Sequence, residues 1–299
     1  MYYLETNALR AMSRKLRVAP IEIRRTLFTS ALAIFELVSG ITEGDYSLRR
    51  AFLCDVSKSK LRIDWRSPSQ VIANSFGHFV ASDPITITTR RAFDVVVGSS
   101  SLMDAISACE SHRPPIDLVG LIAANGSLSR VYGAARAQQN IEYRNQLNLE
   151  PLKSVLAAAE IGSASARRAF ATEIAGDLDE KLLQDCASAT AQKMSVSGVG
   201  PADLLASYDG SIDSHIQASR WLQTESMLLQ NPAGENDAPD VLHFLYVDKG
   251  TTMVSNDKLS TRIAAALWPD RVISVSQFLL NMALRTTDAN STFRPRCGA

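Results

Sequence analysis

Two acids in this chain stand where a buried strand hands over to a helix, a position from which a carboxylate can do chemistry. Glu5 follows the apolar run Tyr2-Tyr3-Leu4 and precedes Thr6 and a helix read from Ala8, with Asn7 as its cap. Asp257 follows Thr252-Met253-Val254-Ser255-Asn256 and precedes Lys258 to Leu267, where Leu259, Ile263, Ala266 and Leu267 recur at helical spacing. Ligands of an open α/β sheet bind at the carboxyl ends of its strands, so both acids point toward the crevice in which reactions occur. Finding the same arrangement near both ends predicts that the two ends of the chain share one sheet.

The elements that must position these acids are legible in outline. Pro20 interrupts the first helix, because the residue before a proline is pushed out of the helical region. A second helical segment is expected over Ile21 to Ser39, with Ala31, Ile34, Phe35 and Val38 as its apolar stripe and Gly40 as its stop. Glu36 lies about 100° around that helix from Phe35, at the edge of the stripe and within reach of a cleft. A helix over Tyr46 to Val56, a strand over Leu61 to Trp65 and a Ser67-capped helix over Gln70 to Val80 follow. Asp64, a further strand-end acid, reads as structural.

From about residue 90 to 232 the chain is rich in Ala, Ser and Gln and reads as helical. Its candidate helices include Glu150 to Ile161, Ala164 to Ile174 and Leu178 to Ala191. Ser197 to Leu205 has the outline of a helix-hairpin-helix turn, but Ala202 replaces the usual lysine and a turn before a helix explains the glycines. Ala238-Pro239-Asp240 starts another helix with Asp240 in its first turn, preferred over Asp237 as a site acid. His243, one turn later, reads as a helix-face histidine that packs or caps locally. A last buried strand is expected over Val272 to Ser276, and the tail 286–299 lacks periodicity.

With 299 residues, 46% of them hydrophobic, the chain has material for two domains or for one with a large insertion. The formal net charge is +0, but the distribution is uneven. Arg10, Arg14, Lys15, Arg17, Arg24 and Arg25 form a basic arm against only Glu22, while residues 203–240 carry seven Asp and Glu against only Arg220. Cations beside clustered carboxylates suit a phosphodiester substrate. Cys54, Cys109, Cys186 and Cys297 are scattered without zinc-site spacing, as expected of free thiols in a reducing cytoplasm. No signal-peptide pattern and no apolar run of membrane-spanning length occurs, so a cytoplasmic protein without a membrane partner is expected.

The order and spacing of the acids resemble the PIN (PilT N-terminus) domain, a family of metal-dependent ribonucleases. Leu4-Glu5-Thr6-Asn7-Ala8-Leu9 matches the family's opening, with Glu5 in place of its usual Asp; Ile34 to Gly40 matches the acid within a helix at Glu36. Asp240-Val241-Leu242-His243 matches the acid that begins a later helix, and Asp257, two residues after Ser255, matches the strand-end acid. The resemblance implies a PIN-like α/β fold, a parallel sheet flanked by helices. Its core would comprise 1–65 and 235–285, with 66–234 a mainly helical insertion and 286–299 a loose tail.

It further implies that Glu5, Glu36, Asp240 and Asp257 are catalytic and hold Mg²⁺ or Mn²⁺. Thr6, Asn7 and Ser255 would support them, and Arg10, Arg14 and Lys15 would bind RNA. Four carboxylates repel one another unless a cation or protons intervene, and hard oxygen ligands select these two ions. The implied function is endoribonuclease action, of a toxin-like or defence-related kind, with an inhibitory protein or a second copy as partner. Two competing readings are a catalytically inactive PIN-like interaction module, favoured by Glu5, and a DNA nuclease.

Overall fold

The computed structural model describes residues 1–125, 170–194, 198–229 and 237–282, with single helical positions between 130 and 157. Five short strands form one all-parallel sheet: β1 (Tyr2–Leu4), β2 (Leu27–Ser30), β3 (Arg62–Asp64), β4 (Thr252–Val254) and β5 (Val272–Ile273). Their order is β3-β2-β1-β4-β5. The two ends of the chain therefore do meet, with Tyr2 paired to Leu27 on one side and to Thr252 on the other. From β1 the chain builds outward through β2 and β3, then returns to add β4 and β5 on the opposite side. The carboxyl ends of β1 and β4 flank the point of that reversal, where open α/β sheets form their binding crevice.

Helices flank the sheet. In chain order they are α1 (Thr6–Val18), α2 (Ile21–Arg24), α3 (Ala31–Ser39), α4 (Tyr46–Ser59), α5 (Pro68–Ser75) and α6 (Pro84–Gly98). Then come α7 (Leu102–Ser111), α8 (Ala175–Lys193), α9 (Pro201–Ala206), α10 (Asp213–Leu229), α11 (Asp237–Leu242) and α12 (Lys258–Leu267). Helical turns also cover 118–125 and 275–282. α1 buries Ala8, Leu9, Met12 and Leu16, the 3–4 spacing of a single face, and ends where Ala19, before Pro20, turns extended. α5 has a full capping box, Ser67 with Gln70, and Pro68 in its first turn.

Three elements depart most from the sequence reading. The single helix expected over Ile21 to Ser39 is α2, strand β2 and α3. Leu27, Phe28, Thr29 and Ser30 are all buried between β1 and β3, so the strand carries no polar-apolar alternation to betray it. Helix α5 stops at Ser75 rather than Val80, because Gly77 takes a left-handed φ of 72° that lets Gly77 and His78 bond back to Asn74 and Ala73. The last strand ends at Ile273, since Val275 already begins the helix over 275–282.

The elements described in the central region are all helices, joined by turns and irregular segments. Phe93 and Val96 of α6, Leu178 and Leu182 of α8, and Ile216 and Leu222 of α10 share one continuous core with Tyr3, Leu4, Met253 and Val254. The turn before α9 is closed locally by a 3.0 Å bond from the Gly200 N–H to Asp203. The expected helices over Glu150 to Ile161, apart from residue 157, and over Ala164 to Ile174, up to residue 169, lie outside the described residues, as do Cys297 and the tail. Cys54, Cys109 and Cys186 are free thiols. Among the described residues no helix is long and apolar enough to cross a membrane.

Candidate active site in the cleft at the sheet's carboxyl edge

Where β1 ends, Glu5 itself caps α1. Its Oε2 accepts from the Asn7 N–H at 2.8 Å and its Oε1 from the Ala8 N–H at 3.0 Å. The expected Asn7 cap is thus replaced: Asn7 donates its amide to Glu5, because the longer acid folds back over the first turn and reaches two N–H groups at once. Asp257 repeats the device at the end of β4, capping α12 by accepting from the Ser260 N–H at 2.7 Å. Its own N–H donates to the Oγ of buried Ser255 at 2.9 Å. Both strand-end acids therefore sit on the positive ends of helices.

Glu36 approaches from α3. The Thr6 hydroxyl donates to its Oε2 in a short hydrogen bond, and His243 Nε2 lies 3.2 Å from its Oε1. Asp240 enters from α11. All four acids line one cleft of about 790 Å³, together with Thr6, Asn7 and Arg10. Asp237 is not among the lining residues, and Asp64 is held by Arg66 through bonds of 2.5–3.1 Å, which fits its structural reading.

His243 is the principal residue whose place the sequence reading missed. It is only 2% exposed and lies among the acids instead of packing on its own helix. Its Nδ1 is 2.5 Å from the Tyr3 hydroxyl, which is 2.8 Å from Ser30 Oγ. The only signal in the sequence was its position three residues after Asp240, which sets both on one helical face.

The electrostatics follow from crowding. Burial would lower the His243 pKa, but Glu36, Glu5 and Asp240 outweigh it and raise the imidazole to about 9. Burial would raise Glu36, yet His243, Thr6 and Arg10 bring it below its ordinary value. Glu5 is raised by burial, with His243, Asn7 and Ser255 opposing. Asp240 is pushed up to about 7, first by burial and then by Asp257, Glu36 and Glu5. His243 therefore balances part of the negative charge, and Asp240 carries the remaining deficit of positive charge.

Of the expected substrate-binding cations only Arg10 lines the cleft, and no hydrogen bond or ion pair among the described residues engages its guanidinium. Arg14 and Lys15 are exposed on α1 and stand outside the lining, about 6 Å or more further along the helix. Arg49 adds a second cation but is tied to Asp45 at 2.5 Å and to the carbonyl of Glu36 at 3.2 Å. The central helical region contributes Asn125 and Lys193 to the cleft.

Among the described residues, no three His, Cys, Asp or Glu side chains are gathered into a coordination group. The donor chemistry nevertheless fits a hard divalent ion: Asp240 and the second oxygen of Asp257 have no hydrogen-bond partner among the described residues, and positive charge beside Asp240 would allow it to ionise. No family model, curated protein or solved structure matches the chain. Fold and site together define an α/β protein with an acid-lined cleft at the reversal point of a parallel sheet.

Proposed function

We propose that this chain is a PIN-like, metal-dependent endoribonuclease acting in the cytoplasm, its core formed by the two ends of the chain and its cleft walled in part by the inserted helices. One observation carries the reading: Glu5, Glu36, Asp240 and Asp257, separated by up to 252 positions, line a single cleft at the switch point of the sheet. Asp240 and Asp257 would hold Mg²⁺ or Mn²⁺ most directly, with Glu5 and Glu36 completing the acidic set. When bound, the ion supplies Lewis-acid polarisation of the phosphodiester and activation of water. Arg10 provides a cation for a non-bridging phosphate oxygen, as an unpaired guanidinium in a cleft does well. Thr6 and His243 hold Glu36 ionised.

The test is cleavage of a mixed RNA pool over a Mg²⁺ and Mn²⁺ titration, beside single-stranded and duplex DNA. Metal-dependent RNA cleavage that disappears in Asp257→Asn supports the reading. Cleavage of DNA alone moves the substrate class, and no cleavage of either removes the enzyme.

A second reading, a catalytically inactive PIN-like module that presents its helices to a protein partner, is favoured by one observation. Both oxygens of Glu5 and both of Glu36 already have partners within the chain, and His243 supplies positive charge from inside.

A further inference from the structure

A line of hydrogen bonds runs from the middle of the sheet to the cleft. Ser30, the cap of α3, accepts from the Ala33 N–H at 3.2 Å and meets the Tyr3 hydroxyl at 2.8 Å. Tyr3 meets His243 Nδ1 at 2.5 Å, His243 Nε2 meets Glu36 Oε1 at 3.2 Å, and Thr6 closes the line on Glu36 Oε2. Ser30 and Tyr3 are both fully buried, and Tyr3 packs its ring against Phe28 and Tyr246 with centroids 5.4 and 5.6 Å away. These packing partners fix the hydroxyl in space, so the imidazole it holds is fixed as well.

Geometry also fixes what each nitrogen does. An ionised carboxylate only accepts, so Nε2 must carry the proton directed at Glu36. Nδ1 is left to pair with Tyr3, whose hydroxyl can act in either direction because Ser30 offers both a lone pair and a proton. Glu36 otherwise has freedom to turn away, since it sits at the border of the α3 apolar face and is not fully enclosed.

We infer that His243, anchored by Tyr3, is a positioning residue that holds the Glu36 carboxylate in its cleft-facing rotamer. Its kinetic consequence rests on the nuclease reading; its structural consequence does not. Residues that orient an acidic site from behind carry about 10- to 100-fold in activity or metal affinity.

The two amide replacements of histidine separate this role from mere space filling. Glutamine reaches the place of Nε2 and preserves the N–H toward Glu36, whereas asparagine reaches the place of Nδ1 and preserves the contact with Tyr3. Crystal structures should show Glu36 unmoved in His243→Gln and turned from its present rotamer in His243→Asn. With an active enzyme, kcat should fall about 10- to 100-fold further in the second than in the first, with KM for RNA unchanged, and the two variants, which both lose the imidazolium, should melt at similar Tm values below that of the unaltered chain. On a Glu36→Gln background, His243→Asn should cost nothing further. If the histidine variants do not fold, Tyr3→Phe keeps His243 but frees Nδ1, and Glu36 should then occupy more than one rotamer. Glu36 in its present rotamer in the folded H243N structure, or in a single rotamer in Y3F when H243N does not fold, overturns the inference. Absence of cleavage by the unaltered chain removes the nuclease reading while the rotamer result still decides this one.

Discussion

Tyr3 and His243 lie 240 positions apart in the chain, yet the hydroxyl of one stands 2.5 Å from Nδ1 of the other. That contact joins the central strand to the helical turn beside Asp240, and through Nε2 it reaches Glu36. The acids of the cleft are therefore balanced from within by a buried cation, and measurable consequences follow from this arrangement.

Asp240→Asn should stabilise the protein at neutral and alkaline pH. In the folded state this acid titrates near 7 instead of near 3.8, because it is buried and faces Asp257, Glu36 and Glu5. The folded chain thus binds more protons than the unfolded chain between those values, and stability falls as pH rises across them. An amide removes the penalty. Urea denaturation should show a gain on the order of 2 kcal/mol at pH 8 and little change near pH 3.5.

His243 acts in the same direction in a higher window. Its imidazole is raised to about 9, so the stabilisation it confers is complete below its ordinary value of 6.5 and lost as pH rises through about 9. Thermal melts of the unaltered chain should fall between pH 6.5 and 9.5, and His243→Gln should flatten that slope. Proton NMR of the imidazole gives a direct check, since a midpoint near 6.5 contradicts the charge balance described for the cleft.

Asp257→Asn should abolish metal-dependent RNA cleavage while leaving the fold intact. Asparagine caps helices about as well as aspartate, so the bond to the Ser260 amide survives and stability should shift by less than about 1 kcal/mol. Parallel melting curves and cleavage assays separate the two effects. Unaltered turnover, with contaminating nuclease excluded, favours the interaction module.

Glu5→Asp tests whether the cleft is built around the longer acid. Shortening the side chain by one methylene withdraws the carboxylate by about 1.5 Å, three times the displacement that catalytic groups tolerate. Cleavage should drop, and Glu5→Gln should drop further because the charge is gone. Glu5→Gln should also cost about 0.5–2 kcal/mol, since an amide keeps only one oxygen for the two N–H groups now served by two. Higher activity in Glu5→Asp would identify Glu5 as a ligand displaced from its best position.

The sequence by itself determined that Glu5 and Asp257 stand between a strand and a helix, because apolar runs and helical spacing are local features; that these acids themselves cap the helices was decided by the fold. It determined in the same way that Glu36 borders an apolar stripe and that Asp240 opens a helix. Strand β2 escaped it, since a strand buried on both faces loses its alternation and Leu27 to Ser30 ran on into the apolar face of α3. Only the tertiary structure decided that Arg10 and not Arg14 or Lys15 borders the cleft, that Lys193 and Asn125 join it from the helical region, and that His243 stands among the acids. Those relations depend on how the sheet reverses between β1 and β4 and on which faces the helices bury. The protonation of Asp240 and His243 likewise depends on charges brought close by folding from positions up to 252 residues apart, and no short stretch of sequence contains that sum.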